Sequence, residues 1–249
     1  MRCIMLLALS AGMTASLAAQ SLESRVGGVK DGAVRFEFAA RPGVCGDGDH
    51  SISYHDGNNQ GEWEGRCAGG PVRVVVTRAA GRTTALRTYV GGRWRRTATL
   101  DLGTVGAAEA SRWLIALAER NEPAADDAIL PATLADSVVT WPSLLRIARN
   151  DGIRREARKS AVFWLGQAAG DAATRGLDSL VGDESADREI RESAVFALSQ
   201  RPEGEGVPVL VRLARSDRDP EIRRKAIFWL GQSEAPAALA LFEELLTKP

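Results

Sequence analysis

Glu156-Ala157-Arg158-Lys159-Ser160-Ala161-Val162-Phe163-Trp164-Leu165-Gly166-Gln167 decides the fold, because the chain writes this stretch three times. It returns as Glu189-Ile190-Arg191-Glu192-Ser193-Ala194-Val195-Phe196-Ala197-Leu198-Ser199-Gln200, then as Glu221-Ile222-Arg223-Arg224-Lys225-Ala226-Ile227-Phe228-Trp229-Leu230-Gly231-Gln232, at spacings of 33 and 32 residues. At 3.6 residues per turn, Ala157, Ala161, Trp164 and Leu165 fall on one side of a helix. A shorter apolar-striped segment precedes each copy, at residues 142–149, 172–181 and 207–215. Asp219-Pro220 gives the third copy an N-cap and a first-turn proline. Helix pairs recurring at this period bury their apolar faces by stacking on one another, which is an α-solenoid.

The copies resemble HEAT repeats, whose second helix opens on an acid, steps from an apolar residue to Arg, carries a small Ala and ends in Leu-Gly. Glu221-Ile222-Arg223, Ala226 and Leu230-Gly231 fit this pattern, whereas Ala157 and Ser199 depart from it. The resemblance covers residues 138–249 and implies an elongated surface that binds a protein partner, with a few enzymatic exceptions. The iron-dependent hydroxylases of this type hold their metal on His-Glu pairs, and no histidine follows His55 here. The repeats also lack cysteine, so imidazole and thiolate chemistry are missing from them. A non-enzymatic scaffold without a cofactor is therefore expected. Residues 235–246 are expected to close the array as a cap, with Leu239, Phe242 and Leu246 turned inward.

Stacking the copies places Phe163, Phe196 and Phe228 in one column and Gln167, Gln200 and Gln232 in another beside it. Two readings stay open at this point. The columns form an apolar ladder edged with amides for an extended segment or a partner helix, or the phenylalanines seal one repeat against the next while the glutamines cap helix ends.

Upstream of the repeats, residues 109–120 read as a helix with Ala110, Trp113, Leu114 and Leu117 on one face. Before it the period drops to two. Ala33-Val34-Arg35-Phe36-Glu37-Phe38 alternates, and Val72-Arg73-Val74-Val75-Val76-Thr77-Arg78 is rich in β-branched residues. Leu86-Arg87-Thr88-Tyr89-Val90 and Arg93-Trp94-Arg95-Arg96-Thr97 flank Gly91-Gly92, which predicts a tight hairpin. The expected fold class is α+β: a small antiparallel β unit of four to six strands over residues 20–103, then a HEAT-like α-solenoid over 104–249.

The first 19 residues have the composition of an export signal. A basic Arg2, a short apolar run diluted with Ser, Gly and Thr, and the ending Ser16-Leu17-Ala18-Ala19-Gln20 predict cleavage after Ala18 or Ala19. No later stretch approaches the roughly 20 apolar residues of a membrane span. Cleavage removes Cys3 and leaves Cys45 and Cys67, an even pair in an oxidising periplasmic or secreted setting, where a disulfide is expected.

The full chain of 249 residues balances 32 basic against 32 acidic groups, which excludes a polyelectrolyte tail as the answer for the whole chain. The balance is uneven along the sequence. Residues 65–100 hold eight arginines and no acid, and residues 101–249 hold 19 basic against 24 acidic groups. Within the arginine-rich segment, Arg87, Arg93, Trp94, Arg95 and Arg96 are candidates for an anionic envelope glycan or lipid, since guanidinium pairs with phosphate and carboxylate. Nucleic acid is not an expected partner of an exported chain. Asp47, Asp49, His50 and His55 are weak candidate metal ligands: an EF-hand loop begun at Asp47 wants Gly and Glu where Ile52 and Asn58 stand.

Overall fold

Alternating apolar residues do build strands in the N-terminal half, and the computed structural model describes residues 20–49, 52–54, 67–94 and 97–247. The expected signal segment, His50, His55, Arg95 and Arg96 lie outside the described residues. A short helix, α1 (Leu22–Gly27), precedes the sheet and is capped by the Ser21 side chain. Among the described residues seven strands follow: β1 (Gly32–Phe38), β2 (Val44–Gly46), β3 (Ile52–Tyr54), β4 (Ala68–Gly69), β5 (Val72–Ala79), β6 (Arg82–Val90) and β7 (Leu100–Thr104).

They form a four-stranded sheet in the order β6-β5-β1-β7 and a small sheet in the order β3-β2-β4. The sheets are antiparallel except that β7 runs parallel to β1. The inward residues Val34, Phe36 and Phe38 of β1 and Val72, Val74 and Val76 of β5 are fully buried. The opposite face carries Arg35, Glu37, Arg73 and Thr77, as the period of two requires.

The hairpin lies one loop earlier than Gly91-Gly92 predicted. β5 and β6 join through Ala80-Gly81, both at positive φ (51° and 75°), a two-residue turn whose twist suits paired strands. Gly91-Gly92 also turns at positive φ, but Arg93 and Trp94 beyond it are in no strand. The glycines serve close approach instead: a Cβ on Gly92 would sit 2.9 Å from the Gly48 Cα, so this loop packs directly on the loop after β2. Cys45 and Cys67 form a disulfide with Cα atoms 5.1 Å apart, joining β2 to the start of β4.

The helical half continues with α2 (Ala107–Ala118), α3 (Ile129–Thr133), α4 (Trp141–Arg149), α5 (Arg155–Gly166), α6 (Asp171–Val181), α7 (Arg188–Ser199), α8 (Val207–Ser216), α9 (Pro220–Leu230) and α10 (Pro236–Thr247). Three antiparallel pairs, α4–α5, α6–α7 and α8–α9, stack so that α5, α7 and α9 form one layer. Leu144, Ile147 and Ala148 of α4, Leu177, Leu180 and Val181 of α6, and Leu210, Leu213 and Ala214 of α8 are buried against them.

Strand and helix halves share one core. Phe36 meets Trp113 of α2 edge-on with ring centroids 5.8 Å apart, Leu22 and Val26 of α1 are buried, and the Arg41 amide donates to the Leu134 carbonyl at 2.8 Å.

α10 differs from the expected cap. It packs on α8 through Ala238 and Leu241, which are buried, while Leu239 and Leu246 point outward. The apolar stripe is wider than one neighbour can cover, so the helix turns only one side of it to α8.

Candidate functional site

The repeat layer α5–α7–α9 is held in register by arginines at the apolar-Arg step. Arg158 donates through Nε to the Ala148 carbonyl at 3.2 Å and through Nη1 to Asp187 Oδ2 at 2.6 Å. One repeat on, Arg191 donates to the Val181 carbonyl at 2.7 Å and to Asp219 Oδ2 at 3.4 Å. Each buried guanidinium thus satisfies an orphan carbonyl at the end of its own repeat's first helix and grips the aspartate that opens the second helix of the next repeat. Arg201 locks the turn after α5: Nε donates to Thr174 Oγ1 at 2.9 Å, and its terminal nitrogens reach the carbonyls of Gly166, Ala168 and Gly170 and the Glu205 carboxylate. That contact holds the Glu205 carboxyl below its ordinary range, against the opposing effect of desolvation.

The solvent side of this rigid layer carries the columns read from the sequence. Gln167, Gln200 and Gln232 are all exposed. Phe163 and Phe228 are 41% and 57% exposed, unusually open for residues of this size. Phe196 is half-buried and packs on Trp229 of the next repeat at 4.9 Å between centroids. Phe228 meets Trp229 edge-on at 4.9 Å, and Phe163 meets Trp164 edge-on at 5.1 Å. The column is therefore mixed: its middle member joins two repeats through Trp229, and its outer members lie open beside the amides. Ion pairs across repeats, Arg155–Glu189 at 3.2 Å and Lys225–Glu192 at 3.3 Å, border the aromatic strip.

Residues 177–249 match the family model for HEAT repeats. The helix pairs of residues 177–249 are thus similar to HEAT repeats. HEAT repeats generally mediate contacts between proteins and are generally non-catalytic. No curated protein matches the sequence. The α4–α5 pair lies before the matched span and repeats its helix-pair geometry.

On the sheet, the arginine set divides. Arg35, which lies outside the arginine-rich segment, and Arg73 within it stack over Trp94 at 4.8 and 5.8 Å from its ring centroid. They also pair with Asp101 at 2.6 Å and Glu37 at 3.0 Å. The Arg35 contact holds the Asp101 carboxyl below its usual range. Trp94 is thus occupied by the protein's own cations. Arg87 and Arg93 are exposed, and neither forms an ion pair among the described residues. Among the described residues no group of three or more His, Cys, Asp or Glu could hold a metal. Asp47 accepts from the Asp49 amide at 2.8 Å, an ordinary turn contact. No helix among the described residues is long and apolar enough to cross a membrane.

Proposed function

We propose that the protein is an exported, non-enzymatic scaffold of the periplasm or cell envelope that binds a partner protein along the α5–α7–α9 face. The observation that carries the reading is the exposure of Phe163 and Phe228 beside a row of three exposed glutamines, on a layer fixed from beneath by buried arginines. Exposed aromatics flanked by amide donors and acceptors are the composition of an interface centre. The export part of the reading rests on the first 19 residues and on the disulfide, a bond that persists in oxidising compartments. In two-part terms, residues 20–103 brace the array and residues 104–249 present the surface.

The test is affinity purification of the protein from native envelopes, comparing the natural chain with Phe163→Ala/Phe228→Ala. A partner recovered with the first and lost with the second, at unchanged helicity, supports the reading. Equal recovery with both excludes this face. Mass analysis of the exported chain is expected to find Ala19 or Gln20 at its N-terminus.

A second reading, an anionic-ligand or carbohydrate binder acting through the sheet, is favoured only by the exposed Arg87 and Arg93, which form no ion pair among the described residues. It predicts retention on a sulfated polysaccharide column that is lost with Arg87→Gln/Arg93→Gln; unchanged retention removes it.

A further inference from the structure

The small sheet β3-β2-β4 has little of its own to hold it together. β2 pairs with three residues of β3 and two of β4, and among the described side chains of the three strands only Val44 is buried. Strands this short do not stand alone in water. The Cys45–Cys67 bond fastens them, and it is open to solvent: Cys67 is exposed and Cys45 half-buried. An exposed disulfide is the kind that thiols can exchange. The main core stands apart from it, since Val34, Phe36, Val74 and Val76 are buried in the four-stranded sheet and Phe36 packs on Trp113 of α2.

The small sheet in turn seats the turn after β6. A Cβ on Gly91 would sit 3.0 Å from the Ala68 carbonyl oxygen and 3.2 Å from that of Gly46, and a Cβ on Gly70 would sit 3.1 Å from the Gly91 Cα. Backbone meets backbone there, with no flexible side chain between to yield. The Gly91 carbonyl accepts from Arg73 Nη1, and three residues on Trp94 stacks with the Arg35 and Arg73 guanidiniums. Those two side chains are largely covered, at 16% and 13% exposure, and Asp101 and Glu37 hold them in place. An unbroken run of contacts therefore leads from the disulfide to the ring that covers two arginines.

We propose that Cys45–Cys67 is a redox catch. Reduction by a dithiol loosens the small sheet and the 91–94 turn, withdraws Trp94 and bares Arg35 and Arg73, adding two guanidiniums to the exposed Arg87 and Arg93; reoxidation closes the catch. The chemistry is thiol–disulfide exchange. A thiolate of the dithiol attacks the exposed Cys67 Sγ, and the Cys45 sulfur leaves as a thiolate and takes up a proton. The second thiol then displaces Cys67 from the mixed disulfide, so two electrons pass to the protein and the dithiol ends as a disulfide. The catch acts on the strand half and does not depend on the Phe and Gln columns.

The test follows the indole N–H signals of the full chain by NMR as dithiothreitol is added under native conditions, with Trp94→Phe identifying the Trp94 signal and alkylation with mass analysis following bond cleavage. As the bond opens, the Trp94 indole proton should exchange with solvent roughly tenfold faster. The Trp164 and Trp229 signals should stay in place, and removal of the reductant should restore the starting spectrum. Cys45→Ser/Cys67→Ser should show the open Trp94 signal without reductant and ignore its addition. A cleaved bond with an unmoved Trp94 signal overturns the proposal. So does a bond that yields only as the Trp164 and Trp229 signals collapse, because the disulfide is then a brace for the whole fold.

Discussion

Arg201 has a fully buried side chain and satisfies three carbonyls of the turn that follows α5. Replacing it with Ala strands those buried acceptors, and a buried polar group left without its partner costs about 1–3 kcal/mol. Denaturant titration of Arg201→Ala should show that loss, whereas Arg175→Ala, at an exposed position of α6, should change stability by less than about 0.5 kcal/mol. The same contact sets a pH dependence. Because Arg201 lowers the Glu205 carboxyl below its unfolded value, its contribution is complete above the ordinary carboxylate range and is lost as pH falls through the lowered folded value. Asp101, held down by Arg35, acts in the same direction. Glu205→Gln should therefore flatten the decline of stability on acidification, read from chemical denaturation at a series of pH values; an unchanged slope contradicts the link. The apolar-Arg step was legible in the sequence, but Arg201 was not, because it follows only one copy and all its partners but Glu205 sit 27 to 35 residues away.

At the scale of helices, the repeat period, the paired segments and the small residue at position 161 and its equivalents all follow from the sequence. Rotation of the last helix does not, because burial there depends on which neighbours exist and not on the stripe itself. The Phe column shows the same dependence: identical residues at one repeat position are open at Phe163 and Phe228 and half-buried at Phe196, since Trp229 reaches Phe196 while Ala197 stands at the corresponding place beside Phe163. Phe196→Ala should cost about 2 kcal/mol, roughly half the cost of truncating a fully buried aromatic, and Phe163→Ala less than about 1 kcal/mol. Thermal melts that rank them the other way contradict this packing. Gly206 is a constraint no periodicity announces: a Cβ there would strike the Leu198 carbonyl, so Gly206→Ala should force α7 and α8 apart and cost about 2–3 kcal/mol.

At the scale of the molecule, the change of period near residue 104 reads as a division between strands and helices, yet the two halves share a core. Trp113 packs on Phe36, the Leu22 amide donates to Glu109 at 2.7 Å, and Arg120 pairs with Glu23 at 2.7 Å, so the sheet and α1 brace the first helices of the array. Sequence patterns record periods and leave such distant contacts unwritten. Reduction of the Cys45–Cys67 disulfide, which contributes about 2–4 kcal/mol by restricting the unfolded chain, should raise amide exchange in the sheet and in α2 before it does so in α7 and α9. Uniform loss of protection across all helices would show instead that the array unfolds as one unit. The central claim, a protein partner held on the α5–α7–α9 face, is tested most directly by a photo-crosslinking residue placed at Gln200 in cells, with Arg175 on the opposite helix layer as the control site. The account predicts one discrete crosslinked protein from Gln200 that disappears with Phe163→Ala/Phe228→Ala, and none from Arg175; no crosslink from Gln200, or the same product from both positions, would contradict it.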